Sequence, residues 1–340
     1  MVIEDKLREN ATLYPDKVAL VCGEKSLTYR QLYQAIKDKA DSMGNIRGCL
    51  IPIVAYSTVD FFITYFALHL TGAVAVPLHK DIPAKKLNDY AETLEQGIVP
   101  EEVADILFTT GTTGNAKAVM ISYQTIIANA ENLVLSQGFS HDVTFIINGP
   151  LNHIGSLSKV YPTIYVGGTI HVIDGMKDIK AFFTAIDDAP NKVATFLVPA
   201  AIRILITLWK KELIAVADKI DFVETGAAPL AATDMKLFCE LLPHSRLYNT
   251  YASTETGIIS TYDYNDGANL AGCVGHKMKH SSFFITADGY VACKGKTLMT
   301  GYCNDEEATR NVLKDGVIRT ADIGRIDEKG RLRLLGRGDD

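Results

Sequence analysis

The chain is 340 residues long, beyond the size at which one hydrophobic core stops growing, so two or three packed units are expected. Hydrophobic residues make up 47% and charged residues 22%, which excludes an intrinsically disordered chain. A net charge of −6 and a pI near 5.8 exclude broad nucleic-acid or anionic-membrane binding, but not a small anion held by local donors.

The first residues, MVIEDKLREN, carry charges of both signs and no apolar core. No secretory signal is read there, and a cytoplasmic location is expected. TYRQLYQAIKDKADSM has helical spacing, and CLIPIVAY follows as a strand. FFITYFALHLTGAVAVPL, residues 61–78, is long enough to suggest a membrane span. Gly72 and Pro77 punctuate it, however, His69 lies inside it, and Asp60 and Lys80 crowd its ends. A buried helix ending near Gly72 and a short strand, AVAVP, fit better, so no stable membrane insertion is expected.

ADILF reads as the next strand, followed by FTTGTTGNAKAVMIS, residues 108–122. Its glycines, Gly111 and Gly114, allow positive φ and close backbone approach. Thr109, Thr110, Thr112 and Thr113 offer hydroxyls, and Lys117 offers one mobile positive charge. Such a loop suits polyphosphate oxygens, although it does not match the Walker pattern G-x-x-x-x-G-K-[ST]. A helix, SYQTIIANAENLVLSQ, is expected to start directly from it with Ser122 as N-cap. Further strands are VTFIIN, GTIHVI, VATFLVP, KIDFVET and RLYNTY, alternating with helices such as AAIRILITLWKKELI and AATDMKLFCELL.

This alternation predicts an α/β fold of two doubly wound lobes with helices on both sheet faces, spanning residues 1–268. From residue 269 to 336 the texture changes to short antiparallel strands with turns at Asp288-Gly289 and Lys329-Gly330, read as a small distorted β-barrel. The six cysteines show no C-x-x-C pair and read as reduced thiols. His276 and His280 stand at i, i+4 in HKMKH without the glutamate of a zinc motif, so solvated side chains are expected there.

The loop at 108–122 resembles the phosphate-binding loop [YF]-T-S-G-T-T-G-x-P-K-G of the adenylate-forming superfamily, which includes acyl- and aryl-CoA synthetases, luciferases and peptide-synthetase adenylation domains. Further matches follow in the family's order: LTYRQL, TGAVAVPL, GPLNHIGSL for P-L-x-H-x-x-G, TGAAPL, NTYASTETG for N-x-Y-G-x-T-E, TADIG, and GRGDD for G-R-x-D-D. Any one is weak, but the ordered set covers nearly the whole chain and is similar in style to the AMP-forming acyl- or aryl-CoA synthetases.

The resemblance implies ATP-dependent activation of a carboxylic acid as its acyl-adenylate, then transfer to coenzyme A or a carrier thiol, in fatty- or aryl-acid metabolism. It implies that residues 110–117, with Thr109, hold the β- and γ-phosphates, and that Thr254 bonds the α-phosphate. Glu255 would hold Mg²⁺, a hard cation suited to carboxylate and phosphate oxygens. Tyr251 would stack on adenine, Asn249 would read its amine, and Gly226 and Ala227 would line that pocket. Asp322 and Arg337 would hold the ribose, and His153 would border the acyl pocket and the thiol route.

Amino-acid-activating relatives usually carry an F-D-x-S-like segment at 152–153. Asn152-His153, with no acid nearby in sequence, therefore favours an aryl or acyl carboxylate over an α-amino acid.

Departures from the family pattern are Thr110, Ala116, Ala118, Ala252 and Ala321, four of them placing a methyl group where relatives have glycine or freeing a torsion where they have proline. Tyr290 stands where glutamate is frequent, and the segment from Pro83 to Phe108 looks short. The resemblance also implies that residues 337–340 begin a hinge to a C-terminal domain carrying a further lysine, without which turnover would be poor. Two alternatives stay open: a noncatalytic nucleotide- or acyl-adenylate-binding protein, and an amino-acid or carrier-protein adenylation domain.

Overall fold

The computed structural model describes residues 2–95, 99–109 and 116–338. Helix α1 (Ile3–Leu13) leads to strands β1 (Val18–Cys22) and β2 (Lys25–Thr28) and then to α2 (Tyr29–Ser42). Next come β3 (Leu50–Val54), α3 (Val59–Thr71), β4 (Val74–Leu78), α4 (Ala84–Glu95), β5 (Val103–Thr109), β6 (Lys117–Ser122) and α5 (Tyr123–Gln137). The second stretch runs β7 (Thr144–Ile147), α6 (Ile154–Tyr165), β8 (Thr169–Val172), α7 (Ile179–Asp188), β9 (Val193–Phe196), α8 (Pro199–Leu208) and α9 (Lys210–Ala215). It continues with β10 (Ile220–Thr225), α10 (Ala232–Leu241), β11 (Arg246–Ser253) and β12 (Gly257–Asp263). The last stretch holds β13 (Cys273–Gly275), β14 (Ser281–Ile285), β15 (Tyr290–Gly295), β16 (Gly301–Tyr302), α11 (Glu306–Val312), β17 (Leu313–Lys314), β18 (Val317–Ile326) and β19 (Leu332–Arg337).

Three sheets result. The largest has the order β12-β11-β10-β9-β7-β8-β1-β2, parallel from β11 through β1 and closed at both edges by antiparallel strands. The second has the order β16-β6-β5-β4-β3, with β3, β4 and β5 parallel. The third is antiparallel, β13-β19-β18-β15-β14 with β17 beside β18, and its edge strands β13 and β14 both pack against β12, giving it a half-barrel curl. The two α/β lobes and the β-rich third unit are as the sequence predicts. One strand crosses the expected division: β16, inside residues 269–336, pairs Gly301 with Met120 and Tyr302 with Val119 in the second sheet.

The suspected membrane segment divides as expected. Helix α3 ends at Gly72, whose φ of 74° places it in the left-handed region that stops a helix, and its N–H bonds His69 O. Among the described residues no helix is long and apolar enough to cross a membrane.

Two local expectations are corrected. The run read as one helix from Ala200 breaks at Trp209 (φ −122°, ψ 28°), whose ring packs toward Phe183. Strand β6, antiparallel to β5 with Thr109 paired to Lys117, lies between β5 and α5, so α5 does not start directly after the threonine-rich segment. Ser122 does cap α5, its hydroxyl accepting from Thr125 N–H at 3.1 Å.

Helix α6 is buried on nearly every side, from Ser156 through Ile164 without interruption. Its Tyr161 hydroxyl reaches Asp105 Oδ2 (3.2 Å) on β5, where Tyr65 from α3 also donates (2.8 Å). The other Asp105 oxygen meets His69 Nε2 at 3.0 Å, and His69 Nδ1 meets Glu4 Oε1 at 2.6 Å. Burial opposes a charge on His69, but the carboxylates of Asp105 and Glu4 outweigh it and raise its pKa to about 10. This cluster ties α1, α3, β5 and α6 together.

Candidate active site

A cavity of about 750 Å³ opens at the carboxyl ends of the parallel strands of the two α/β sheets, the position where open α/β sheets hold ligands. Elements from both α/β lobes converge on it. Thr109 and Lys117 come from β5 and β6, His153 from the start of α6, and Gly226 and Ala227 from the turn after β10. Thr254 and Glu255 come from the turn between β11 and β12, and Arg337 from the end of β19.

The β11–β12 turn is held from within. Ser253 N–H donates to Thr256 Oγ1 and Thr256 N–H to Ser253 Oγ, both at 3.0 Å. Gly257 follows at φ 62°, where a Cβ would meet Thr297 O at 2.4 Å and Asn129 Oδ1 at 2.7 Å. Only glycine fits, and the turn presents Thr254 and Glu255 to the cavity on a stiff support. The hydroxyl of Tyr302 donates to Glu255 Oε1 at 3.1 Å, and Lys117 Nζ lies 4.7 Å from the centre of the same ring. Burial and the adjacent Glu255 carboxylate push the Tyr302 pKa upward, so the phenol stays a donor. Tyr302 therefore braces both charged groups, which the sequence reading missed; the Gly-Tyr pair on β16 was its only sign.

Among the described residues no group of three or more His, Cys, Asp or Glu converges to hold a metal. Mg²⁺ keeps waters and takes its other ligands from substrate phosphates, so a single protein carboxylate can hold it; Glu255 is of the residue type that fits.

His153 caps α6. Its Nδ1 accepts from Gly155 N–H at 3.1 Å, which assigns the proton of the neutral ring to Nε2. Desolvation lowers its pKa below the ordinary imidazole value, so it is neutral at pH 7. A Cβ at Gly226 would sit 2.8 Å from Thr250 O, and Ala227 adopts φ 65°. A left-handed alanine costs on the order of 1 kcal/mol.

The remaining expected residues sit apart from this lining. Tyr251 donates to Asp322 Oδ2 at 2.6 Å, and Asp322 pairs in register with Arg337 across β18 and β19. Asn249 is buried, with Nδ2 donating to Tyr264 Oη (2.8 Å) and Cys273 O (3.0 Å). Thr110, Gly111, Thr112, Thr113 and Gly114 lie outside the described residues. His280 is ion-paired with Glu131 at 2.6 Å rather than free in solvent. All six cysteines are free thiols.

The lining also includes residues the sequence reading did not select. Lys159 Nζ lies 2.6 Å from Glu224 Oε1, with side chains 2% and 1% exposed, and both line the cavity with Ser158, Asn152 and Phe196. Although no acid lies near Asn152 in sequence, Glu224 at the end of β10 lines the same cavity.

The sequence profile described as AMP-binding enzyme matches residues 7–99 and 88–303 in two stretches, meeting within the segment that reads as short. A 2-succinylbenzoate–CoA ligase from Bacillus cereus is 24% identical over 98% of this chain and 78% of its own length. An indoleacetate–CoA ligase from Aromatoleum aromaticum is 26% identical over 99% and 78%. Among solved structures, ATP-bound MatB from Rhodopseudomonas palustris superimposes with a TM-score of 0.88 at 21% identity, over all of this chain and 80% of that one. The chain belongs to the AMP-binding enzyme family.

Proposed function

We propose that this chain activates a carboxylic acid with ATP, releasing pyrophosphate and holding the acyl-adenylate for transfer to coenzyme A. The strongest support is that Lys117, Thr254, Glu255 and a neutral His153 share one cavity in a chain of this family. The relatives named as CoA ligases support the acid–thiol ligase class and leave the acid open.

The reaction brings two anions together, so the protein's task is charge neutralisation and alignment. Lys117 offsets charge on the departing pyrophosphate, and Thr254 donates to the α-phosphate. Mg²⁺ bound through Glu255 would neutralise phosphate charge and polarise the P–O bonds. The acid attacks the α-phosphorus as its carboxylate, so no protein base is needed. His153, protonated at Nε2 with Nδ1 engaged, presents a donor and is suited to hold an acyl oxygen rather than to take a proton. Tyr251, Asp322 and Arg337 are assigned to the nucleoside.

Calorimetric titration with Mg²⁺-ATP, paired with acid-dependent ATP–pyrophosphate exchange, tests this reading. Binding weakened by both Lys117→Ala and Asp322→Ala, with exchange stimulated by an aryl or acyl acid, is the expected result. Formation of ADP instead of AMP would overturn it. Binding of ATP without exchange for any acid would turn the reading to a noncatalytic nucleotide-binding protein.

A further inference from the structure

Just past the end of β19 the chain is tightly seated. Gly338 N–H donates to Ala321 O at 2.9 Å, and the Tyr290 phenol of β15 lies against the same residue. A Cβ at Gly338 would stand 2.5 Å from Tyr290 Cε1, 2.8 Å from Cζ and nearer still to the hydroxyl oxygen. Gly338 is not in the left-handed region, so space rather than backbone conformation calls for glycine here. The Tyr290 ring is itself held. The Arg319 guanidinium sits 3.8 Å from its centre, and Arg319 Nη2 donates to Asp288 Oδ2 at 2.7 Å. Asp288 Oδ1 in turn accepts from Thr286 Oγ1 at 2.5 Å.

One residue before Gly338 stands Arg337, which lines the cavity, while Tyr290 and Arg319 are not among the lining residues. Strand β13 pairs with Leu332 and Arg333, so toward its end β19 has β18 as its only strand partner among the described residues. Gly336, at φ 152° and with open space where a Cβ would be, adds no stiffness. A guanidinium carried on such a strand end swings unless the residue after it is fixed.

Resting on the adenylation reading above, in which Arg337 serves the nucleoside, we propose that Tyr290 is a positioning residue for Arg337. Its ring, braced by Arg319 and Asp288, seats Gly338 and so holds the Arg337 guanidinium at the cavity before ATP arrives. The glutamate frequent at this place in the family pattern has no ring to offer, so the seat is a property of this chain.

The test is calorimetric titration of the intact chain with Mg²⁺-ATP, on variants whose thermal transitions show them folded. Arg337→Ala should weaken binding about 10- to 100-fold through loss of a charge-assisted contact. Tyr290→Ala should weaken it about 10-fold, because Arg337 is present but no longer aimed. Tyr290→Phe keeps the ring and should bind as the parent does. Tyr290→Ala added to Arg337→Ala should cost nothing further, since nothing is left to position. Additive losses would mean general damage to the β-rich unit and overturn the proposal. Parent-like binding by Tyr290→Ala or by Arg337→Ala overturns it too, as does a loss in Tyr290→Phe equal to that in Tyr290→Ala. In each of those cases the parent still binds ATP and the adenylation reading stands. A parent chain that binds no ATP takes both down together. Should Tyr290→Ala not fold, Gly338→Ala decides: it drives a methyl group into the ring and should weaken ATP binding about 10-fold, and parent-like binding overturns the proposal.

Discussion

Two buried ionic clusters share helix α6 and differ in how many elements they join. Tyr161 joins the His69–Asp105–Glu4 cluster on one side, and Lys159, two residues earlier, joins Glu224 on the other. Two residues turn a helix by about 200°, so the two side chains leave α6 toward different sheets. In the first cluster both oxygens of Asp105 are taken, by His69, Tyr65 and Tyr161, and only Glu4 Oε2 lacks a partner. In the second, Glu224 Oε2 lacks a partner in the same way. A carboxylate shared by three donors ties several elements together, whereas an isolated pair joins only α6 to β10.

The sharpest way to break this comparison is Asp105→Ala. It would leave His69 and two tyrosines without their acceptor, and should cost about 3–5 kcal/mol of stability, read by urea denaturation. A loss under about 1 kcal/mol would remove the distinction, because the Lys159→Met, Glu224→Leu pair should be neutral or stabilising. The pH dependence is a second readout on the same cluster. The folded pKa of His69 is raised to about 10, so its stabilisation is complete below about pH 6.5 and is lost as pH rises to about 10. His69→Leu should flatten that alkaline slope.

Glu255→Gln should lower pyrophosphate exchange by about 10²–10³ while leaving the urea midpoint nearly unchanged, as expected for a carboxylate open to the cavity. Tyr302→Phe removes only the hydroxyl that orients Glu255, and a loss of about 10-fold in exchange is expected, with the ring still beside Lys117. Equal exchange by Tyr302→Phe and the parent would show that the brace is idle.

Glu131 is the mild case. Hydrogen bonds from Lys279 and His280 lower its pKa to about 2, tying α5 to the segment before β14. Its contribution is present above about pH 4.5 and is lost as pH falls toward 2. Glu131→Gln should cost about 1–2 kcal/mol at pH 7 and nothing near pH 2. A penalty that persists there would mean that packing, not charge, is at work.

How much of this the sequence disclosed depended on the kind of segment. Strands β3, β4, β5 and β7 to β11 were legible because buried parallel strands are short apolar runs bounded by turn residues. Strand β6 was not, since KAVMIS merged with the threonine-rich loop before it. Helix α6 was hidden for a physical reason: IGSLSKVYPTIY contains a glycine, two serines and Pro162, and burial on all sides erases the amphipathic period. Its helicity comes from tertiary packing, so Lys159 gave no local signal of its role. Glu224 could have been noticed as an acid inside a strand whose other residues are mostly buried. Most of the motif-borne residues that are described share the cavity. Asn249, Tyr251 and Asp322 stand back from it because hydrogen bonds within β11 to β18 claim their polar atoms.

The length of α6 has a consequence for substrate choice under the proposed reading. His153, at the N-cap, sits where the activated end of the acid belongs, and Lys159 lies six residues further along. At 1.5 Å of rise per residue those two positions are about 9 Å apart along the axis. The helix is then a ruler: an acid that engages His153 must span that length to lie along the turn that carries Lys159. Because α6 is locked on its other side by the Tyr161–Asp105 contact, the ruler cannot slide to accommodate a different length.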